Sequence, residues 1–370
     1  MDVRPFLEAM VERKASDLFI TAGFPPSAKV DGSLRPLAEN AFTPAQALEF
    51  VESLMTPANK QEFHETKECN FAIGSKGLGR FRVSAFWQRE AAGCVLRRIE
   101  TKIPTMEDLN LPPVLKDLVM SKRGLVIMVG ATGTGKSTSL AAMIGYRNAN
   151  TKGHILTIED PVEFVHQHNK CIITQREVGI DTESFDAALK SSLRQAPDVI
   201  LIGEIRSQET MEFALSFAET GHLCLATLHA NNANQALDRI MHLVPESKHA
   251  QLLFDLSLNL RGIVAQQLVP RADGNGRRAA IEILINTPRV ASVIQRHELH
   301  QLKEVMAKSG EQGMRTFDQA LFQLYKEGEI SYADALHHAD SPNDLRLMIK
   351  LESGNAGSSG SMDGITLDMD

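Results

Sequence analysis

The sequence predicts an α/β protein in two parts, a small α+β domain over residues 1–100 and a core built on a parallel sheet over 114–350. Three observations predict it. A glycine-rich run, Gly130 to Thr138, sits between a strand-like stretch and a helix-like one. From there to His229 short apolar runs alternate with helical spacings, the pattern of a sheet covered on both faces. Before residue 100, short strands, turns and two Thr-Pro helix starts follow one another instead.

In order, residues 2–15 carry Phe6, Leu7, Met10 and Val11 on one helical face. Leu18 to Ile20 reads as a strand and Gly23 to Pro26 as a turn. Lys29 to Leu34 reads as a hairpin closed by Asp31-Gly32. Thr43-Pro44 and Thr56-Pro57 open helices over 44–55 and 57–66. Strands follow at 70–73, 79–87 and 93–99. In the second of these Arg80 and Arg82 share one face, Phe81 and Val83 the other; Arg97 and Arg98 end the third. These arginines are either a solvated basic face or a set offered to a phosphate. Residues 101–113 hold three prolines and read as a linker, and 114–120 as a short helix.

Leu125 to Val129 is a short, largely β-branched strand, and Ser139 to Arg147 spaces Leu140, Met143 and Ile144 as a helix does. Between them Gly130-Ala131-Thr132-Gly133-Thr134-Gly135-Lys136-Ser137-Thr138 fits Gly-x4-Gly-Lys-Ser/Thr, the phosphate-binding loop. Glycines let successive N–H groups turn inward, and a helix N-terminus adds positive charge at the same point. Lys136 reaches terminal phosphates and the Ser137 hydroxyl suits Mg2+.

Strand 155–158 ends in Glu159-Asp160-Pro161-Val162-Glu163, a helix spans 185–194, and Asp198 to Ile202 is the clearest buried strand. Glu204 follows that strand, where a metal-supporting acid belongs. Glu163, on a proline-turned loop, is the better water-activating acid, although Glu159 and Asp160 lie close by. A helix over 208–219 leads to a strand bracketed by His222 and His229. The rest reads as helical, over 232–243, 246–258, 259–267, 288–296, 299–308, 316–327 and 331–338, with one strand at 279–285. From Ser353 the chain turns Gly/Ser-rich and reads as a disordered tail, 351–370 in domain terms.

Composition narrows the function. With 39 basic and 46 acidic residues the net charge is −7, against a dedicated nucleic-acid binder. Four scattered cysteines form no Cys-x-x-Cys pair and read as reduced cytosolic thiols rather than a zinc site. No signal peptide is read at the N-terminus, and no apolar run approaches the roughly 20 residues of a membrane span.

These stretches together carry a resemblance. Gly130–Thr138 resembles the Walker A box of the type II/type IV secretion ATPases, and Ile155–Glu163 their Asp box. Asp198–Arg206 resembles their Walker B box with glutamate as the acid, and Thr220–His229 their His box. Order and spacing match, and the similarity runs from about residue 1 to 350. Ala15-Ser16-Asp17-Leu18 and Arg80-Phe81-Arg82-Val83 resemble the N-terminal domain of the PilT branch, the type IV pilus retraction motors. The tetracysteine module of assembly-type relatives is missing. Arg289 to Arg296 departs from the branch's C-terminal signature, which leans toward its accessory retraction ATPases.

The resemblance implies a PAS-like N-terminal domain, a RecA-like ATPase core with a helical C-terminal part, and a ring hexamer that binds ATP and Mg2+. It implies that Lys136 and Ser137 hold phosphate and metal, Glu163 polarises water, Glu204 supports the metal, and His222 and His229 couple the site to its surroundings. Arg82 and Arg97 match phosphate-sensing arginines. Pilus retraction and twitching motility are then the work. The implied partners are a PilT-like ATPase and an inner-membrane platform protein, met from the cytoplasmic face. Two other classes remain: a RecA-like nucleic-acid translocase, and a regulatory subunit that binds ATP but barely hydrolyses it alone.

Overall fold

A computed structural model describes residues 1–30, 32–99 and 102–357, without the side chains of 353–357. The chain begins α1 (Arg4–Glu12), β1 (Asp17–Ile20), β2 (Ser27–Val30), β3 (Ser33–Pro36), α2 (Pro44–Ser53), α3 (Pro57–Thr66), β4 (Glu68–Ser75), β5 (Gly79–Gln88) and β6 (Ala91–Ile99). Next come α4 (Val114–Met120), β7 (Gly124–Val129), α5 (Lys136–Asn150), β8 (Gly153–Glu159), β9 (Cys171–Glu177), α6 (Phe185–Ser192), β10 (Val199–Ile202), α7 (Gln208–Glu219) and β11 (Leu223–Leu228). The last part is α8 (Ala233–His242), α9 (His249–Asn259), β12 (Leu260–Pro270), β13 (Arg277–Ile285), α10 (Pro288–Gln295), α11 (Leu302–Ala307), α12 (Phe317–Lys326), α13 (Tyr332–His338) and α14 (Pro342–Gly357). Contacts gather these into two compact units: Met1–Pro104 with Asn148–Pro197, and Thr105–Arg147 with Asp198 onward.

In the first unit six antiparallel strands run β3-β2-β1-β6-β5-β4. Both Thr-Pro starts behave as read. Thr43 and Gln46 cap α2 reciprocally, and Thr56 and Asn59 do the same for α3. Leu18, Phe50, Phe81 and Leu96 are fully buried beneath the helices, with Phe6 set edge-on to Phe50 at 5.3 Å. β2 and β3 pair as the expected hairpin, Val30 opposite Ser33; Asp31 of its turn lies outside the described residues. The register sets Asp17 opposite Arg97, and Arg97 opposite Arg82, in one row across β1, β6 and β5. The same unit contains β8 and β9, paired in parallel from Gly153 with Cys171 to Glu159 with Glu177.

In the second unit the strands run β13-β12-β7-β11-β10. β10, β11, β7 and β12 run parallel to one another, and β13 closes the edge antiparallel to β12. All six residues of β7 are buried. The five side chains from Leu125 to Val129 each contribute about 2 kcal/mol on burial, so the strand feeding the phosphate loop is a rigid base for it.

Three readings change. Residues 259–267, read as a helix, form most of strand β12. That strand is buried on both faces over Gly262–Gln266, so its apolar run loses the alternation that marks a strand. β9 was not read at all. Helix α14 runs to Gly357, past the proposed start of the tail, while 358–370 lie outside the described residues. Residues 288–296, where the branch signature is altered, are helical as expected, with Val290, Val293 and Ile294 buried.

Candidate active site

The second unit supplies a phosphate cradle. β7 ends at Val129, the loop turns, and α5 begins at Lys136. Two glycines are there because nothing larger fits. A Cβ on Gly130 would stand 2.5 Å from Thr134 Oγ1 and 2.7 Å from the Gln266 carbonyl oxygen. One on Gly135, at φ +84°, would stand 2.8 Å from Gln266 Nε2. Gln266 itself is buried on β12 and braces the loop from below. Its Nε2 donates to the Thr134 carbonyl and its Oε1 accepts from the Ser139 hydroxyl, both at 2.8 Å. Ala131, Thr132, Gly133 and Ser137 face solvent, while Thr134, Gly135, Lys136 and Thr138 are half-buried.

Lys136 Nζ folds onto the loop, donating to the Gly130 and Ala131 carbonyls at 2.7 and 2.8 Å. Burial lowers its affinity for its proton, and the Glu204 carboxylate works in the opposite direction. Glu204 is shared: Arg206 Nε lies 2.7 Å from Oε2, and His229 Nε2 lies 3.3 Å from Oε1. Its turn is fixed from β11, as Ile205 N donates to the Thr227 carbonyl and the Thr227 hydroxyl donates to that of Gly203. So the P-loop lysine, Glu204 and His229 lie around one carboxylate. A cleft of about 840 Å³ opens beside them, lined by Ala131, Thr132, His229, Asn231, Asp238 and Arg239.

His222 does not join this group. It precedes β11, and its carbonyl accepts from Gly124 N at the start of β7. That is the strand end remote from the loop, about 17 Å away at strand rise. Its ring meets Thr220 Oγ1 at 3.0 Å and Phe217.

The first unit gathers the remaining candidates. Glu163 is exposed on the loop after β8. Its neighbour Glu159 is committed elsewhere: it accepts from Thr157 Oγ1 at 2.6 Å and Gln175 Nε2 at 3.2 Å, and burial raises its pKa. Of these two acids, Glu163 has the solvent-facing carboxylate. Arg97 Nε donates to Asp17 Oδ1 at 2.8 Å; that bond chiefly raises the arginine's pKa, and the Glu163 charge adds to it. Arg82 is also occupied, by Glu177 Oε1 at 3.3 Å and the Val162 carbonyl at 3.0 Å. Sequence reasoning named neither Gln266 nor Glu177. A glutamine inside an apolar run and a glutamate ending a strand were the available signals.

The donor set suits a nucleoside triphosphate with Mg2+. The tight glycine turn, the half-buried lysine, the exposed Ser137 hydroxyl and the Glu204 carboxylate all lie in one unit. Fold and cradle together define a P-loop nucleotide-binding protein. The chain belongs to the Type II/IV secretion system protein family, whose model matches residues 2–301. It is 64% identical over 353 residues to the type IV pilus ATPase PilU of Pseudomonas aeruginosa, covering 95% of this chain and 92% of that protein. To the type IV pilus retraction ATPase PilT of the same organism it is 40% identical, covering 93% of this chain and 100% of the other. A crystal structure of the pilus retraction motor PilT with bound ADP matches at a TM-score of 0.88 and 38% identity, covering 94% of this chain and 100% of that one.

Proposed function

We propose that this chain is an ATP-hydrolysing motor that retracts type IV pili and so drives twitching motility. The observation that carries the reading is the meeting of Lys136, Glu204 and His229 around the glycine cradle, in a chain alike over nearly its whole length to a pilus ATPase. Lys136 and Ser137 take the phosphates and Mg2+, Glu204 supports the metal, and Glu163 orients the attacking water. Bound Mg2+ supplies charge neutralisation at the phosphates. His229, already on Glu204, links metal support to α8; His222 acts through the strand it precedes rather than at the phosphate. Arg97 belongs with the phosphate-sensing set.

Residues 1–100 form the PAS-like domain, 101–113 the linker and 114–350 the RecA-like core. The working form is a homohexamer at the cytoplasmic face of the inner membrane. There it acts with a PilT-like ATPase on a platform protein. The platform protein supplies the membrane contact in this reading; among the described residues no helix is long and apolar enough to cross a bilayer.

The test is Glu163→Gln beside the wild type. Nucleotide affinity is expected to stay within about twofold while turnover falls at least about 100-fold, the scale of losing a general base. Wild-type turnover in that variant would remove Glu163 from the mechanism.

A further inference from the structure

We propose that Glu177 and Arg82 are positioning residues for Glu163, clamping the peptide groups on both sides of Val162. The proposal rests on the reading of Glu163 as the water-orienting acid. Glu177 ends β9 opposite Glu159, the last residue of β8. Its Oε2 accepts from Val162 N at 3.3 Å, and its Oε1 accepts from Arg82 Nε at 3.3 Å. Arg82 Nη2 donates to the Val162 carbonyl at 3.0 Å. One carboxylate and one guanidinium therefore hold the amide entering Val162 and the carbonyl leaving it.

That carbonyl belongs to the peptide whose nitrogen is Glu163's, so turning it swings the Glu163 carboxylate. Val162 is 2% exposed and pins the loop from inside. A second staple flanks the clamp, with Val178 N donating to the Glu159 carbonyl at 2.9 Å. The Glu177 backbone is fixed in turn, its N–H donating to Asp181 Oδ2 at 2.9 Å.

The location argues against ordinary packing glue. The Glu177 side chain is only 3% exposed and Arg82 20%. Burying such a pair is costly, and a purely structural site is often better served by apolar residues. What the pair offers here is direction. An arginine fork has fixed geometry and reaches the carboxylate and the carbonyl together, from a strand 80 residues earlier in the chain than Val162. A catalytic carboxylate must be held to within about half an ångström, and displacement by about 1 Å costs up to 100-fold in rate.

The experiment compares full-length wild type with Glu177→Gln, Arg82→Lys, Glu163→Gln and the double variant Glu177→Gln/Glu163→Gln. It measures kcat and KM for ATP, Kd for ADP, and the thermal midpoint. Glu177→Gln keeps shape but loses the charge and one acceptor; Arg82→Lys keeps the charge but cannot span both partners. Each is expected to lower kcat about 10- to 100-fold with KM and Kd within about twofold. The double variant should be no slower than Glu163→Gln alone, because the clamp has nothing left to aim.

If Glu177→Gln folds poorly, Arg82→Lys beside Arg82→Lys/Glu163→Gln decides the matter, because a clamp predicts a double variant no slower than Glu163→Gln alone. The proposal is overturned if both single variants keep wild-type kcat, or if Glu177→Gln slows the Glu163→Gln enzyme by its full single-variant factor. It is overturned also if Arg82→Lys raises KM and Kd tenfold with kcat intact, which would make Arg82 a phosphate ligand. Failure of the underlying reading looks different: Glu163→Gln alone would then turn over normally.

Discussion

Replacing Gln266 with leucine should loosen the phosphate cradle without touching any residue that meets nucleotide. The Gln266 carboxamide makes two 2.8 Å hydrogen bonds, a half-buried one to the Thr134 carbonyl and a buried one from the Ser139 hydroxyl. A neutral hydrogen bond contributes about 1 kcal/mol net, and stranding a buried partner costs about 1–3 kcal/mol. The Ser139 hydroxyl can turn back to a carbonyl of its own helix. The Thr134 carbonyl loses its Gln266 donor. The sum is about 2–4 kcal/mol, and the atoms affected lie in the loop and its first helical turn. If about 2 kcal/mol of it falls on loop order, ADP binding weakens about 30-fold, at 1.4 kcal/mol per decade. Calorimetric titration of ADP with Mg2+, beside urea unfolding, reads both parts. A Kd within twofold of wild type, with global stability alone reduced, would refute the bracing argument.

Other expectations follow from the same geometry. Gly135→Ala forces a Cβ to 2.8 Å from Gln266 Nε2 at φ +84°; nucleotide affinity should fall at least tenfold, the effect of about 1–2 kcal/mol of left-handed strain plus displacement of the brace. Burial pushes Glu282 up from the ordinary 4.5 to about 7, although it accepts from Ala233 N and Phe317 N. Between those two values the folded state keeps a proton that the unfolded chain has shed. The stability this confers is therefore complete below 4.5 and is lost as pH rises through about 7, by about 3 kcal/mol in all. Glu282→Gln has no such proton. Its urea stability relative to wild type should climb by that amount between about pH 5 and pH 8, and a flat difference would show that Glu282 does not titrate there.

What could be read from sequence tracks how local its cause is. The cradle, both capping boxes and the apolar strands β7, β10 and β11 follow from neighbours a few residues apart. The alternation of Arg82 and Phe81 on β5 was equally local, and the structure buries Phe81 as that face requires. β12 was misread because a strand covered on both sides shows no period, and α9 runs into it with no turn residue between. Only the end of α14, residues 353–357, hid behind a Gly/Ser composition that argues for disorder; residues 342–352 were left unread although Pro342 offered a helix start.

The supporting residues were less legible still. Gln266 meets Ser139 across 127 residues, and Arg82 meets Glu177 across 95. Only strand order and register bring such groups together. The motifs named the groups proposed to meet the substrate; the side chains that aim them come from tertiary pairing.

The central claim, a self-assembled motor that hydrolyses ATP, is tested most directly by turnover of the purified full-length protein across a wide concentration range, with Lys136→Ala as the blank. The account predicts Mg2+-dependent turnover, absent in Lys136→Ala, whose specific activity rises steeply with protein concentration as sites are completed by assembly. Nucleotide binding with flat turnover no higher than the blank would contradict it, and would make this chain an ATP-binding subunit that depends on a related motor.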